Sequence, residues 1–408
     1  MKVLILSQYF WPESFRINEV VESLQRSGCE VAVLTGQPNY PDGRIFAGRR
    51  AWKSGKENHS AGYSIFRVPL IPRGNASAIR LTLNYLSFII TAAVWGTWLL
   101  RGQKFDVILV YAPSPILQAI PAVWLALLKQ ARLVTWVQDL WPESLSATGF
   151  VKSARLLKIL ASVVKWIYMK NDLLLVQSEA FIQPVKMMAG RTKVVYHPNP
   201  GQSENLRKNV VDHAAFRLMP GFNVVFTGNL GSVQGLDTVL DAAELLKEYE
   251  DVKFVLIGSG SRSEWLQQEV MHRGLTNVKL PGRFKTESMP SIMAQASALL
   301  VSFNRHPILA MTVPSKVQAY LAAGRPLIAS LDGEGARVVR EAGAGLVCPA
   351  DDVAALAQAV LLLRTTTCEE RERMGRAGQK YYLENYDPVV LANRLVATLQ
   401  EIVWRTKA

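Results

Sequence analysis

The sequence predicts an α/β chain of two Rossmann-like doubly wound domains facing a cleft. Three observations carry this. Short β-branched and apolar runs alternate with stretches of helical period, and residues 2–34 already complete a β-α-β unit, whose right-handed crossover implies a parallel sheet. The alternation stops at a turn cluster, His197-Pro198-Asn199-Pro200-Gly201, and a polar stretch 202–220, then restarts at residue 223. Hydrophobic residues make up 49% of the 408 and charged residues 19%, which is too apolar for a disordered chain and enough for two cores.

In the first half, 2–6 reads as a buried parallel strand. Helix 17–27 follows, with Ile17, Val20, Val21 and Leu24 on one face and Gly28 as its stop. Strands are expected at 31–34, 64–69, 107–110, 133–137 and 173–176, with helices between most of them. Segment 81–100 is 20 residues without a charge, long enough to span a bilayer. Thr82, Asn84, Ser87, Thr91, Gly96 and Thr97 dilute it, and a span would place two sides of one sheet across the membrane. A buried or interfacial helix is therefore expected. Segment 152–170 interleaves Lys152, Arg155, Lys158, Lys165 and Lys170 with leucine, isoleucine, valine and Trp166, the composition of an interfacial helix; an ordinary surface helix is the plain alternative.

In the second half, strands are expected at 223–227, 253–257, 278–280, 299–302, 327–330 and 346–347. Helices are expected at 236–248, 263–274, 289–296, 316–323, 336–342 and 353–363, and the tail from 371 is helical with a break at 385–388. This gives domains at 1–198 and 199–382, and a tail at 383–408 expected to pack back on the first domain.

The net charge of +13 admits nucleic acid or an anionic membrane as partner. Its distribution narrows the choice. Residues 1–200 hold 23 Lys/Arg against 11 Asp/Glu, whereas residues 201–408 hold 23 against 22. No basic run interleaved with stacking aromatics appears, so nucleic acid is not expected and a membrane surface is. Cys29, Cys348 and Cys368 are too far apart for a metal site or a disulfide framework, which fits a reducing compartment. The basic-then-apolar start at Met1 is too short for a signal peptide and reads as the first strand.

Ligand chemistry is sought in the loops after strand ends. The first is Gln8-Tyr9-Phe10-Trp11-Pro12-Glu13-Ser14-Phe15-Arg16, which reads equally as a binding loop or as aromatic packing. Asp139, after strand 133–137, is placed to act as a base or to orient a hydroxyl, or else to cap the next helix. Glycines in Gly228-Asn229-Leu230-Gly231-Ser232-Val233-Gln234-Gly235 permit close backbone approach at a helix start. Gly258 ends another strand, Pro314-Ser315-Lys316 opens a second helix, and Gly333-Glu334-Gly335 opens a third. Three helix starts facing one cleft suit a nucleotide diphosphate. With five scattered histidines and no DxD pattern, no metal and no cofactor are expected.

Taken together, QYFWPESFRINEV, VLTGQPNYPDG, WVQDLWPES, FTGNLGSVQGL, VLIGSGS, LPGRF, TVPSK and AAGRPLIASLDGEGARVV resemble, in order, a family-4 retaining glycosyltransferase of the GT-B fold. The likeness covers nearly the whole chain. It points to bacterial transferases of O-antigen, capsule and colanic acid assembly, including N-acetyl-fucosamine transferases.

The resemblance implies a donor site in the C-terminal domain and an acceptor site in the N-terminal one. Gly228-Asn229 and Gln234-Gly235 match the family's Gly-Arg and Lys-Gly pairs at the diphosphate, with both cations replaced. Arg283-Phe284 matches the loop whose backbone meets the base. The family's two glutamates fall on Met311 and Ala319, and its His-Asp on Gln138-Asp139. Lys316 is then the replacement cation and Glu334 a replacement ribose ligand, with Gly258 and Ser315 beside the diphosphate.

Tyr9, Glu13, Arg16, Gln138 and Glu143 are expected on the acceptor side, and Trp95, Lys158, Lys165 and Trp166 against the membrane. The expected reaction moves a sugar from a UDP-linked nucleotide sugar to a polyprenyl diphosphate-linked saccharide, at the inner face of a bacterial cytoplasmic membrane. The alternatives are a non-catalytic sugar-binding or scaffold subunit, for which the missing glutamates speak, and a sugar-nucleotide 2-epimerase of the same fold.

Overall fold

The computed structural model describes residues 1–75, 77–147, 151, 153–201 and 216–404. Lys152, most of the polar stretch after Gly201 and the last four residues of the expected tail lie outside them. The chain divides into two compact units. One comprises Met1–Pro200 together with the helix Pro388–Trp404, and the other Gly201–Asp387.

In the first unit the described strands are β1 (Lys2–Leu6), β2 (Glu30–Thr35), β3 (Gly55–Asn58), β4 (Ser64–Arg67), β5 (Val107–Ala112), β6 (Arg132–Val137), β7 (Leu173–Val176) and β8 (Lys193–Tyr196). They form one sheet in the order β3-β4-β2-β1-β5-β6-β7-β8. All neighbours are parallel except β3, which runs antiparallel to β4. Strands buried on both faces need near-continuous apolar runs, and β5 is buried at all six positions.

One face of this sheet packs on the helix Arg16–Arg26 and on Pro388–Trp404. Val3, Ile5, Val31 and Val33 share a core there with Ile17, Val21, Leu395 and Leu399. The strand pleat sends Leu34 to the opposite face, where the helix Ala78–Leu99 runs close enough for its Gly96 to approach the Leu34 side chain. That helix is the long uncharged segment. Its polar residues tie it to the sheet: Gln8 Nε2 donates to Asn84 Oδ1 at 2.8 Å, Asn84 Nδ2 donates to the Ile71 carbonyl at 2.6 Å, and Thr91 Oγ1 donates to the Pro69 carbonyl at 2.6 Å.

The second unit holds β9 (Phe222–Asn229), β10 (Val252–Ser259), β11 (Val278–Gly282), β12 (Ala298–Ser302), β13 (Leu327–Ser330) and β14 (Gly345–Cys348), in the order β11-β10-β9-β12-β13-β14. Every pair is parallel. Helices on both faces bury two cores, one around Phe226, Leu240, Phe254 and Val360, the other around Val225, Tyr320, Leu327 and Val338. Tyr382 and Tyr386 belong to the second of these cores. For that reason the chain leaves this unit only at Pro388, and not at the residue 383 that the sequence suggests.

Candidate functional site

In the second unit, the switch of strand order lies between β9 and β12, and loops leave there from both strand ends. The 230–235 turn is held from β12's side. Ser302 Oγ donates to the Gln234 carbonyl at 2.6 Å, and Asn304 N–H donates to the Val233 carbonyl at 3.0 Å. Gly235, at φ 59°, then opens the helix Leu236–Leu245. The helix Ser315–Ala323 begins after Pro314. It is pinned to β9 one turn in, where Thr227 N–H donates to Tyr320 Oη at 2.8 Å.

That pin aims Lys316 at the loop. Its Nζ stands 3.6 Å from the centre of the Phe226 ring and donates to Gln234 Oε1. Burial pushes its ammonium down to about 7. Gly228 explains the spacing. Its φ is +126°, and a Cβ there would meet Lys316 Cε at 2.9 Å. Gly228, Gln234 and Lys316, 88 residues apart in the chain at the extremes, thus form one cluster at the ends of two helices. A buried cation at the start of a helix, with no ion pair among the described residues, is suited to a diphosphate.

Gly258 serves packing: a Cβ on it would fall 1.7 Å from the Gly228 carbonyl, so the two glycines let β9 and β10 end side by side. Both oxygens of Glu334, the expected ribose ligand, accept from Arg337, at 3.1 and 2.9 Å. Asn229 and Ser315 are exposed near the cluster's elements, and Arg283 is exposed on its loop. Phe284 is half-buried, 5.2 Å from the ring of Phe216. The sequence reading missed Phe226 and Tyr320. An aromatic one turn beyond Lys316 was the available sign for Tyr320.

In the first unit, Asp139 follows β6. Ser144 Oγ donates to its Oδ2 at 3.0 Å. Burial raises its pKa, against the lowering effect of hydrogen bonds from Ser144 and Trp141. Asp139 borders a cavity of about 430 Å³ whose wall is otherwise largely apolar, with Tyr85, Leu86, Trp141, Leu156 and Leu160 among its lining. Gln138 Oε1 accepts from Asn199 Nδ2 at 2.6 Å, and Glu143 is exposed at the start of the helix Glu143–Ala147.

Glu13 and Tyr9, expected on the acceptor side, are both buried. Glu13 is 3% exposed, and its carboxylate accepts the N–H groups of Phe10, Asn39 and Tyr40 at 3.1, 2.7 and 2.7 Å. It therefore fastens two loops. Burial is the largest influence on its pKa, which is raised. Tyr9 is likewise buried, stacked on Phe15. Arg16 is half-buried, 3.6 Å from Glu19.

On the outer surface, the helix Ala78–Leu99 exposes Ile79, Leu83, Leu86, Ile90, Val94, Trp95 and Trp98. The helix Ala154–Met169 exposes Leu156, Ile159 and Trp166 beside exposed Lys158 and Lys165. Unanticipated by the sequence, the helix Ile120–Lys129, packed against Ala78–Leu99, adds exposed Trp124, Leu127 and Leu128.

Comparison with known proteins agrees with this fold. Residues 14–200 match the family described as glycosyl transferase 4-like domain, and residues 221–366 match glycosyl transferases group 1. WcaI of Escherichia coli K12, named for colanic acid biosynthesis glycosyl transfer, is 25% identical over 79% of this chain and 82% of its own. WbjE of Pseudomonas aeruginosa, named as a glycosyltransferase, is 24% identical over 82% and 84%. Among solved structures, HepE of Anabaena in complex with UDP superposes with a TM-score of 0.68 at 15% identity, covering 98% of this chain and 100% of that one. Sucrose-phosphate synthase of Thermosynechococcus elongatus gives 0.69 at 16%, covering 98% of each. The chain is a glycosyltransferase of the GT-B fold, carrying a glycosyl transferase 4-like domain followed by a group 1 domain.

Proposed function

We propose that the chain is a retaining transferase that moves a sugar from a UDP-linked donor to a polyprenyl diphosphate-linked saccharide in O-antigen or capsule assembly. N-acetyl-fucosamine or another amino or deoxy sugar is the group moved. The observation that carries this reading is the Gly228–Gln234–Lys316 cluster. It keeps a cation at the loop although the two cations and two glutamates that the resemblance implies are replaced. The HepE structure, with UDP bound on the same fold, supports the choice of nucleotide. The name of WcaI supports the polysaccharide setting, and that of WbjE the transferase activity.

In the proposed step, the bond from the anomeric carbon to the diphosphate breaks and the acceptor oxygen bonds to that carbon on the same face. Lys316, protonated beside the departing diphosphate, stabilises its charge. Asp139 orients the acceptor hydroxyl and takes its proton, a task that its raised pKa favours. The apolar cavity beside Asp139 and the exposed apolar helices Ala78–Leu99 and Ala154–Met169 support a lipid-borne acceptor met at the inner face of the cytoplasmic membrane.

The test is nucleotide release from a panel of nucleotide sugars, with and without lipid extract. We expect release with one UDP-sugar and dependence on the extract. Lys316→Ala is expected to lower the rate on the order of 100-fold, the usual cost of one stabilising donor. Full rate and full donor affinity in Lys316→Ala would falsify the role given to the cluster.

A further inference from the structure

A second cavity, of about 390 Å³, lies where β3 and β4 meet the loop after β2, and the reading above gives it no role. Its lining includes Arg49, Arg50, Lys53, Lys56 and Arg67, and Glu57 is the carboxylate among them. That carboxylate is already engaged. Glu57 Oε1 accepts from Arg67 Nε at 2.5 Å, and its two oxygens accept from Arg49 Nη1 at 3.3 and 3.0 Å.

Arg67, 3% exposed, also donates to the Gly36 carbonyl at 3.0 Å and to the Trp11 carbonyl at 2.5 Å. Arg67 and Glu57 are thus a satisfied floor, and Arg49 is held above it, 5.7 Å from the Trp11 ring. Arg50, Lys53 and Lys56 are exposed around the rim and make no ion pair among the described residues.

Like charges gathered in a concave wall repel one another and concentrate the field in the space they enclose. An anion relieves both. We propose that this cavity binds a phosphate-bearing anion, a phosphate or diphosphate group. A single carboxylate would leave most of Arg50, Lys53 and Lys56 uncompensated. A phosphoanion carries two or more charges and offers oxygens that match a guanidinium fork. Ser54, also in the lining, supplies a hydroxyl.

The sequence points the same way. Residues 44–67 hold six Lys/Arg and one acidic residue, and residues 152–170 hold five and none. Two short segments therefore carry nearly all the surplus of residues 1–200, and the cavity accounts for one of them. The phosphoanion has two sources: the diphosphate of a substrate, or the headgroup of a phospholipid.

Equilibrium dialysis of the full chain against labelled pyrophosphate tests the site, with Lys316→Ala as the variant that removes binding at the second unit. In that background, Arg50→Ala/Lys53→Ala is expected to weaken the remaining pyrophosphate binding at least tenfold, with an unchanged melting temperature. Arg50→Lys is expected to retain it. A charge-reversed pair, Arg50→Glu/Lys53→Glu, should abolish it. Flotation with phosphatidylcholine vesicles, with and without phosphatidylglycerol, then assigns the source. A parallel loss of phosphatidylglycerol binding points to the headgroup, and unchanged vesicle binding points to a substrate diphosphate. Pyrophosphate binding that is absent in the Lys316→Ala protein, or unaltered by either pair, overturns the proposal whatever the vesicles do.

Discussion

Lys316 shows how much one side chain's surroundings decide. Its ammonium lies against an aromatic ring and an amide oxygen, with burial holding its pKa at about 7. A bound diphosphate would favour the charged form and raise that value. Donor binding should therefore take up a proton above pH 7, and donor affinity should fall as pH rises past it. Calorimetry of UDP binding in buffers of different ionisation enthalpy checks the uptake. Lys316→Arg, always charged, should bind with a flat pH profile between 6.5 and 9, and a retained slope would assign the titration elsewhere.

Gly228 makes a companion prediction. In Gly228→Ala, strain at φ +126° and the contact with Lys316 combine, costing about 1–3 kcal/mol of stability. Donor kcat/KM should fall at least tenfold, measured beside the melting curve. Of this cluster, Gly228, Gln234 and Lys316 were legible from residue type and from motif order. Phe226 and Tyr320 were not, because their part depends on how a helix crosses a strand. The hydrogen bonds of Glu13 were hidden for a related reason. A carboxylate in a loop looks the same in sequence whether it awaits a ligand or already holds three backbone N–H groups.

Among elements, the helices on the outer face of the first unit are the informative ones. The helix Ala78–Leu99 has the length and hydropathy of a membrane span, yet only one stripe of it is free, since Asn84, Phe88, Thr91, Ala92 and Gly96 are buried. Its exposed stripe and the lysines of Ala154–Met169 should contribute separately to membrane binding. Ile90→Ser/Trp98→Ser should weaken binding to neutral and anionic vesicles alike, at any salt. Lys158→Ala/Lys165→Ala should weaken only anionic binding, by about 1 kcal/mol for each lysine at low salt. Cosedimentation across a salt series separates the two, and an effect of the lysine pair that survives high salt would contradict the assignment.

The parallel strands of both units stood out in the sequence because burial on two faces demands apolar runs. β3 and β8 did not. GKEN has no apolar alternation at all, and KVVY is four residues at a sheet edge. The outward face of Ile120–Lys129 was also missed, since an apolar run does not reveal which of its residues a neighbour covers.

For the whole molecule, the repeated α/β pattern made two units legible. The sequence also implied that the tail packs back on the first unit, and missed only the crossing point, at Pro388 and not 383. The helix Pro388–Trp404 docks through Leu391, Leu395 and Leu399, all buried in the first unit, with Ser27 Oγ donating to Asn393 Oδ1 at 2.9 Å. Burying three leucines contributes roughly 5–9 kcal/mol at about 1.5–3 kcal/mol each. A chain ending at residue 387 should therefore lose the first unit's calorimetric transition, or shift it sharply down, while keeping the second's. Proteolysis should then leave a resistant core within residues 216–387 and clear the first unit.

This same helix bears on how the molecule is made. On the ribosome, Val3 and Ile5 are translated hundreds of residues before the leucines that cover them. Until then that face of the opening strand is covered only in part, by the helix Arg16–Arg26, and the second unit can mature ahead of the first. Order of synthesis and order of completion are thereby reversed, so that a released chain ending at residue 387 should present a complete second unit and an incomplete first unit to chaperones.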